Sequence, residues 1–310
     1  MIEQTHADPQ AAQAAVEKFN AGDTIIGHVA NSSAEHPLLH IGPFLGIDFS
    51  VTKHVFMVWA VAIVVFVAAT WLVRRYLAQD RRVPTRGMSA LEFIVEFVRD
   101  TIVAPNVGEK WVSTWTPLLL TFFLFILTAN AVGLIPIFDV LSLLDHYVFH
   151  TAEDSLLKGL IHGGSTATAN FNVTGGLAII TFFAILTAGI RANGFFQHWK
   201  NLVPHGLAWP IYILLIPMEI VSMFVRPFAL TMRLAANMMG GHIAILAILS
   251  FVFIFADLFS SAAGVGIGIG FSVPLAVAIS ALEIIVVLVQ AYVFTLLSAV
   301  FIGMAIHAHH

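Results

Sequence analysis

The sequence predicts an all-α polytopic membrane protein, and its composition and apolar runs both support this prediction. Of the 310 residues, 59% are hydrophobic and only 10% are charged, which is a composition typical of membrane proteins. Apolar runs long enough to cross a bilayer as helices recur along the chain. We expect six helices: one amphipathic at the inner surface, three ordinary spans, and a final pair that is long, strongly tilted and antiparallel.

The first 50 residues are predicted to form an arm outside the membrane, followed by a single membrane domain over 51–310. The N-terminus lacks the basic segment and apolar core of a cleaved signal peptide. The first span is 51–73, and a cluster of arginines follows it: Arg74, Arg75, Arg81, Arg82 and Arg86. The positive-inside rule places this cluster in the cytoplasm, so the arm is expected on the outside.

A helix on the inner membrane surface and two further spans follow. The segment 89–103 has apolar residues at helical spacing among charged ones, which favours a helix lying on the inner surface. Spans are predicted at 115–135 and 174–190, joined by an acidic outside loop over 136–173. In this layout nine of the 14 Lys and Arg residues lie inside, three outside and two within the membrane, which agrees with the orientation.

The last third contains an apolar stretch over 207–259, too long to stand upright in a core of about 30 Å. It can be divided into two spans, or kept as one oblique helix. We favour one helix because the stretch has no polar turn with which to reverse in lipid; its kinks are expected at Pro210, Pro217 and Pro227. The Gly-rich segment 257–274 is predicted to be the outer hairpin, where Asp257 either caps the turn or lines a water access; its glycines would also permit close helix packing. The final helix is then expected over 275–306.

Charged residues lie inside the first of these long helices. Because Arg keeps its proton in proteins, an intramembrane Arg indicates a functional site. At about 100° per residue from Arg233, Arg226 falls near 20°, Glu219 and Asn237 near 40°, and His242 near 180°. Arg226 is interpreted as an ion-pair partner of Glu219 or as an inner-surface anchor.

The two long helices place polar residues at matching depths if they pair antiparallel. In an antiparallel pair of helices, residues at equal depth have residue numbers with a nearly constant sum. The pairs Arg233 with Gln290 and His242 with Glu283 have nearly equal sums, so both are expected to lie level. His and Glu titrate, and chains of such groups in membranes mark proton relays. A single His in a helix is more often a packing residue. His242 is a candidate site residue because Glu283 is expected at the same depth. Asn130, in the second span, suits either helix packing or a channel lining.

Three classes of function compete at this point. The first is a proton-conducting subunit in which the fixed charge of Arg233 keeps two proton routes apart. The second is a stand-alone secondary transporter whose substrate contacts Arg233 or Arg226. The third is an intramembrane enzyme, which is disfavoured because no HExxH motif and no plausible catalytic pair occur. The net charge of −4 offers no nucleic-acid surface, and the absence of Cys removes thiolate metal sites.

Two segments, RLAANMMGGH and ALEIIVVLVQAYVF, resemble the membrane-embedded a subunit of F-type ATP synthases. The resemblance implies that Arg233 is the stator arginine that faces the rotor carboxylates. It implies that further positions take part in or support proton transfer: Asn237, Gly241, His242, Glu283, Gln290, Glu219 and Asn130. The His and the acid stand in exchanged order relative to some members, as in the organelle-type version.

The resemblance also implies partners and a location. The partners are a ring of c subunits, the peripheral-stalk b subunits and, through them, the soluble catalytic head. Two offset half-channels would lead to the ring, and no catalytic chemistry, cofactor or metal is expected in this chain. We expect a bacterial inner membrane with the N-terminus outside and the C-terminus in the cytoplasm; the alternative is the mitochondrial inner membrane.

Overall fold

The computed structural model describes residues 43–44, 47–48, 51–79, 84–134, 166–200, 209–258 and 261–307. Five of its helices are long and apolar enough to cross a membrane, which confirms an all-α polytopic membrane protein. Its only described strands are a two-residue antiparallel pair, β1 (Pro43–Phe44) and β2 (Ile47–Asp48). Most of the predicted arm, the loop over 135–165 and the Asp257 side chain lie outside the described residues.

The first span and the surface segment differ in detail from the prediction. Helix α1 covers Lys53–Leu77. The surface segment begins with α2 (Arg86–Glu96), where the Thr85 hydroxyl accepts from a first-turn backbone N–H, so the helix starts three residues before position 89. It continues as a π-helix over Phe97–Val103 and ends as α3 (Ala104–Val107). One predicted helix is therefore three consecutive helical pieces.

The next two spans are longer than predicted because glycines and a capping residue set their ends. Helix α4 covers Glu109–Leu134 and follows Gly108, whose φ of 83° breaks the preceding helix. A single 3-10 turn over Ala167–Ala169 leads to α5 (Phe171–Asn193), which the Asn170 side chain caps. The short helix α6 (Phe195–Lys200) was not predicted. It follows Gly194, a second glycine with a positive φ. The described residues thus contain more than the six helices expected.

The two final helices form the antiparallel pair. Helix α7 runs unbroken over Trp209–Leu258, as predicted, with Pro217 and Pro227 in its interior. Its 50 residues span about 75 Å, so it must lie obliquely to cross a core of about 30 Å. Helix α8 covers Ser261–Ile306, so the expectation of a hairpin reaching to position 274 is wrong.

Close helix packing explains the early start of α8. A Cβ atom on Gly268 would lie 2.6 Å from the Cα atom of Val252 on α7. Glycine is therefore needed there because the two backbones approach so closely, and not because the chain turns. Gly268, one of the small residues that suggested a loop, therefore forms part of the α7–α8 contact.

The core of the bundle lies where α4 and α5 meet the C-terminal half of α8. Leu119 and Ile126 of α4 and Ile302 of α8 are fully buried there. The rings of Phe122 and Phe294 meet edge to face with centroids 5.6 Å apart. The core therefore holds α8 firmly at one end, while many side chains of α7 and of the first half of α8 are exposed.

Candidate functional site

The carboxylate of Glu283 lies directly against Gly241, where α8 crosses α7. A Cβ atom on Gly241 would overlap the Glu283 carboxylate, so the missing side chain makes the space that this acid occupies. Glu283 is 7% exposed, which is unusual for an acidic side chain. The contact agrees within one residue with the predicted pairing of Glu283 with His242.

His242 is held by a side chain from outside the two long helices. Its Nε2 atom lies 2.7 Å from the hydroxyl of Thr166, which precedes the 3-10 turn. Thr166 is completely buried and rests on Gly133 of α4, where a Cβ atom would overlap its side chain. The turn therefore connects α4 to the His242 side chain.

Asn130 lies one helical turn from that contact, on the same face of α4. Its Oδ1 atom accepts a hydrogen bond from the hydroxyl of Thr168, and both residues are completely buried. The Nδ2 atom of Asn130 has no hydrogen-bond partner among the described residues. We use the name polar cluster for Asn130, Thr166, Thr168, His242 and Glu283.

Arg233 lies on a different face of α7. Its side chain is exposed, as is that of Asn237 one turn later, whereas the residues that directly follow them, Leu234 and Met238, are buried in the bundle. Within the described part of the chain, no hydrogen bond or ion pair joins Arg233 to another side chain. The guanidinium thus points away from the helices that pack against α7.

The second arginine of α7 is paired within the chain. The Nη2 atom of Arg226 lies 3.1 Å from Oε1 of Glu219, and its guanidinium lies 5.6 Å from the centroid of the Phe301 ring. Both ionic side chains are about a quarter exposed. This confirms the ion-pair interpretation of Arg226 and distinguishes it from Arg233.

The structure gathers some of the predicted residues and separates others. Glu283, Gly241 and His242 come together at one level of the helix pair. Gln290 is buried on α8 and makes no hydrogen bond to Arg233 in the described regions. The structure thus agrees within one residue with the predicted level of Glu283 and shows no hydrogen bond between Gln290 and Arg233 among the described residues.

Sequence reasoning missed Thr166 and Thr168, because both fell within the predicted outside loop. That prediction is wrong for residues 166–173, which form the buried turn and the start of α5. A signal was present: STATAN lies immediately before a span and ends in an Asn suited to capping a helix. Hydroxyl residues directly before a helix cap suggest a turn that packs on the bundle.

The polar cluster has the chemistry of proton transfer. Imidazole and carboxyl groups exchange protons, while hydroxyls both donate and accept hydrogen bonds. No group of three or more potential metal ligands occurs in the parts of the chain that the structure describes. A buried carboxyl group and a partly buried imidazole between membrane helices define a class: a polytopic membrane protein built to move an ion.

Similarity to known proteins agrees with this class. The chain matches the family model described as "ATP synthase A chain" over residues 55–303. It is 36% identical over 312 residues to "ATP synthase subunit a 2" of Chlorobium luteolum, an alignment covering 98% of this chain and 80% of the relative. It is 35% identical over 308 residues to the protein of the same name from Chlorobaculum tepidum, covering 97% and 77%.

A third relative, "ATP synthase subunit a" of Anaeromyxobacter sp., is 35% identical over 287 residues, which cover 92% of this chain and 60% of the relative. The chain belongs to the ATP synthase A chain family. Its membership supports the role of a proton-transport subunit in the membrane sector of ATP synthase.

Proposed function

We propose that this chain is the proton-conducting stator subunit of an F-type ATP synthase, with Arg233 standing between two offset aqueous half-channels that reach the carboxylates of a c-subunit ring. The supporting observation is the exposed guanidinium of Arg233 within an apolar helix. A charge in that position is costly in lipid unless another charge or water meets it. Because the described residues of this chain supply no ion-pair partner, a carboxylate on a second protein is the natural one.

The surface around Arg233 suits an approaching helix. Small residues share its exposed face on α7: Ala229, Ala236 and Gly240. Small side chains let helix backbones come close within a membrane. A ring of helices could therefore pass this face with its carboxylates within reach of the guanidinium.

The two proton routes use different parts of the helix pair. On the outer route, Glu283 and His242 pass protons toward the ring, with Asn237 and Gln290 nearer to Arg233. Gly241 and Asn130 support this route by seating Glu283 and Thr168. The inner route runs by Glu219, on the other side of Arg233 along α7. The fixed charge between the routes repels protons and so prevents direct leakage.

The partners and the location follow from this role. A c-subunit ring takes the proton, and b subunits connect this chain to the soluble catalytic head. We propose a bacterial inner membrane with the N-terminus outside. Because the chain contains no Cys, single substitutions at the two ends of α1, Thr52→Cys and Ala78→Cys, test the orientation. An impermeant maleimide should label position 78 only in inside-out vesicles; labelling of position 52 there instead would reverse the topology.

Arg233→Ala is the central test and should be made in membranes that contain the complete complex. We expect proton-driven ATP synthesis to be abolished, because nothing else would separate the two routes. Arg99→Ala is the matched control for losing one positive charge, since Arg99 lies on the surface segment, is paired with Asp100 and touches neither route, and it should retain coupled synthesis. Normal coupled synthesis by the Arg233 variant would end this assignment.

Glu283→Gln tests the outer route separately. The amide keeps the size of the side chain and its place against Gly241 but cannot release a proton. We expect slower proton uptake with normal incorporation of the subunit, measured by proton pumping in vesicles and by immunoblotting of the complex. Full incorporation with unchanged proton flux would contradict a role for Glu283.

A further inference from the structure

The 3-10 turn before α5 is attached to α4 at two points, through its preceding residue and through its middle residue. Thr166 rests in the space left by Gly133, and Thr168 donates to Asn130, three residues earlier on the same helix face. Both threonines are completely buried. The turn also packs against α1, α5 and α7, so it is held on several sides. The Thr166 hydroxyl is thus presented to α7 from a rigid support.

We propose that Thr166 is a positioning residue for proton transfer, which holds the imidazole of His242 through the hydrogen bond between its hydroxyl and Nε2. This inference rests on the proposed function, since His242 matters to it only as a proton carrier. Thr166 itself need not change its protonation state. It acts by fixing the direction in which the His242 ring points.

The chemistry of a hydroxyl suits this role. It donates to Nε2 when the imidazole is neutral with its proton on Nδ1, and it accepts from Nε2–H when both ring nitrogens carry protons. The same contact of 2.7 Å can therefore persist while His242 gains and loses a proton. A carboxylate could only accept and an ammonium could only donate, so either would favour one protonation state of the ring.

Glycine at position 133 completes the arrangement. A Cβ atom there would overlap Oγ1, Cβ and Cγ2 of Thr166 at once, so any larger residue must displace the whole side chain. Moving Thr166 would lengthen its contact with His242. The close fit between α4 and the turn therefore carries through to the orientation of the imidazole on α7.

The test uses Thr166→Val, which keeps the shape of the side chain and removes its hydroxyl, and Thr166→Ser, which keeps the hydroxyl. In vesicles with the complete complex, we expect the valine variant to lower proton-driven ATP synthesis by about two- to tenfold, the range for loss of one hydrogen bond. The serine variant should restore most of the rate. In a His242→Gln background, the valine substitution should have little further effect, because the ring that it positions is gone.

Three results would overturn the inference: an unchanged rate for the assembled valine variant, equal losses with serine and valine, or fully independent effects of positions 166 and 242. If the valine variant fails to assemble, Thr166→Cys provides the same test, since a thiol is of similar size but a weak hydrogen-bond donor. A normal rate with the cysteine variant would also count against the inference. Arg233→Ala, measured alongside, separates the two proposals, because coupled synthesis by that variant would defeat the proposed function itself.

Discussion

Replacing Gly241 by alanine should displace the Glu283 carboxyl while leaving the fold almost unchanged. The new Cβ atom would lie 2.8 Å from Cδ of Glu283, and ordinary contact begins at 3.4 Å, so Cδ must retreat by at least 0.6 Å. The carboxylate oxygen lies closer still and must move further. The obstacle is the end of a flexible side chain and not a backbone, so the acid can rotate away.

The effect on stability should be small because two terms oppose each other. A side chain forced off its preferred rotamer costs about 0.5–1.5 kcal/mol, and alanine in place of glycine inside a helix gains about 1 kcal/mol. Proton transfer is far more sensitive to position, since a displacement of about 1 Å can cost about 100-fold in rate. We therefore expect normal assembly and a loss of about ten- to hundredfold in proton-driven ATP synthesis.

The assay is ATP synthesis driven by an imposed proton gradient in vesicles, normalised to the amount of assembled complex. Gly176→Ala is the matched control, because that glycine also lies within a membrane helix but a Cβ atom there meets nothing within 4 Å. Equal rates for the two variants would refute the reasoning. So would a complex with Gly241→Ala that fails to assemble, since the substitution would then act through the fold.

Three further predictions concern packing, charge and pH. Gly268→Ala should destabilise the α7–α8 pair by about 1–3 kcal/mol, because the atoms opposite Gly268 belong to the backbone of α7. Gly270→Ala is the control and should not destabilise the pair, because Gly270 faces open space. Thermal unfolding of the purified complex measures both effects. A double-mutant cycle on Glu219 and Arg226 should give a coupling of about 0.2–1 kcal/mol in the free energy of unfolding, since both side chains are partly exposed; a coupling of zero would contradict a contribution of their ion pair to stability. Burial lowers the pKa of His198, so the docking of α6 should be fully stable above pH 6.5 and weaken as pH falls below it. The protection factors of the α6 amides, which allow for the slower intrinsic exchange at low pH, should therefore fall at about pH 5, and His198→Gln should abolish that fall.

Periodicity and hydropathy predicted the long elements well. The choice of one helix over 207–259 is confirmed by α7, because the absence of polar turn residues outweighs the presence of Pro217 and Pro227 in a membrane. The same reasoning failed for 257–274. Glycines signal a turn in water, but inside a bilayer they also let two helices touch, and the contact of Gly268 with α7 shows that use.

The candidate site was only partly predictable for a related reason. A helical wheel and an antiparallel register use positions within helices, so they predicted Glu283 to lie level with His242, one residue from the glycine that it contacts. The helical wheel and the register cannot predict how segments outside α7 and α8 fold back onto these two helices. Thr166 reaches His242 from 76 positions earlier in the chain, and only the packed structure shows that contact. Likewise, the exposed face of Arg233 depends on which side of α7 the other helices cover.

Among the residues that the structure describes, three polar side chains rest where another helix lacks a side chain: Thr166 on Gly133, His198 on Gly189 and Glu283 on Gly241. Each is located by shape, since the glycine beneath it offers volume and no functional group. A group seated in this way keeps its lone pairs and protons available for a partner on another helix, as Thr166 does for His242, or for water. Packing against glycine thus fixes the position of a polar group without using up its hydrogen-bonding capacity. A group held in place by several hydrogen bonds would have that capacity already occupied.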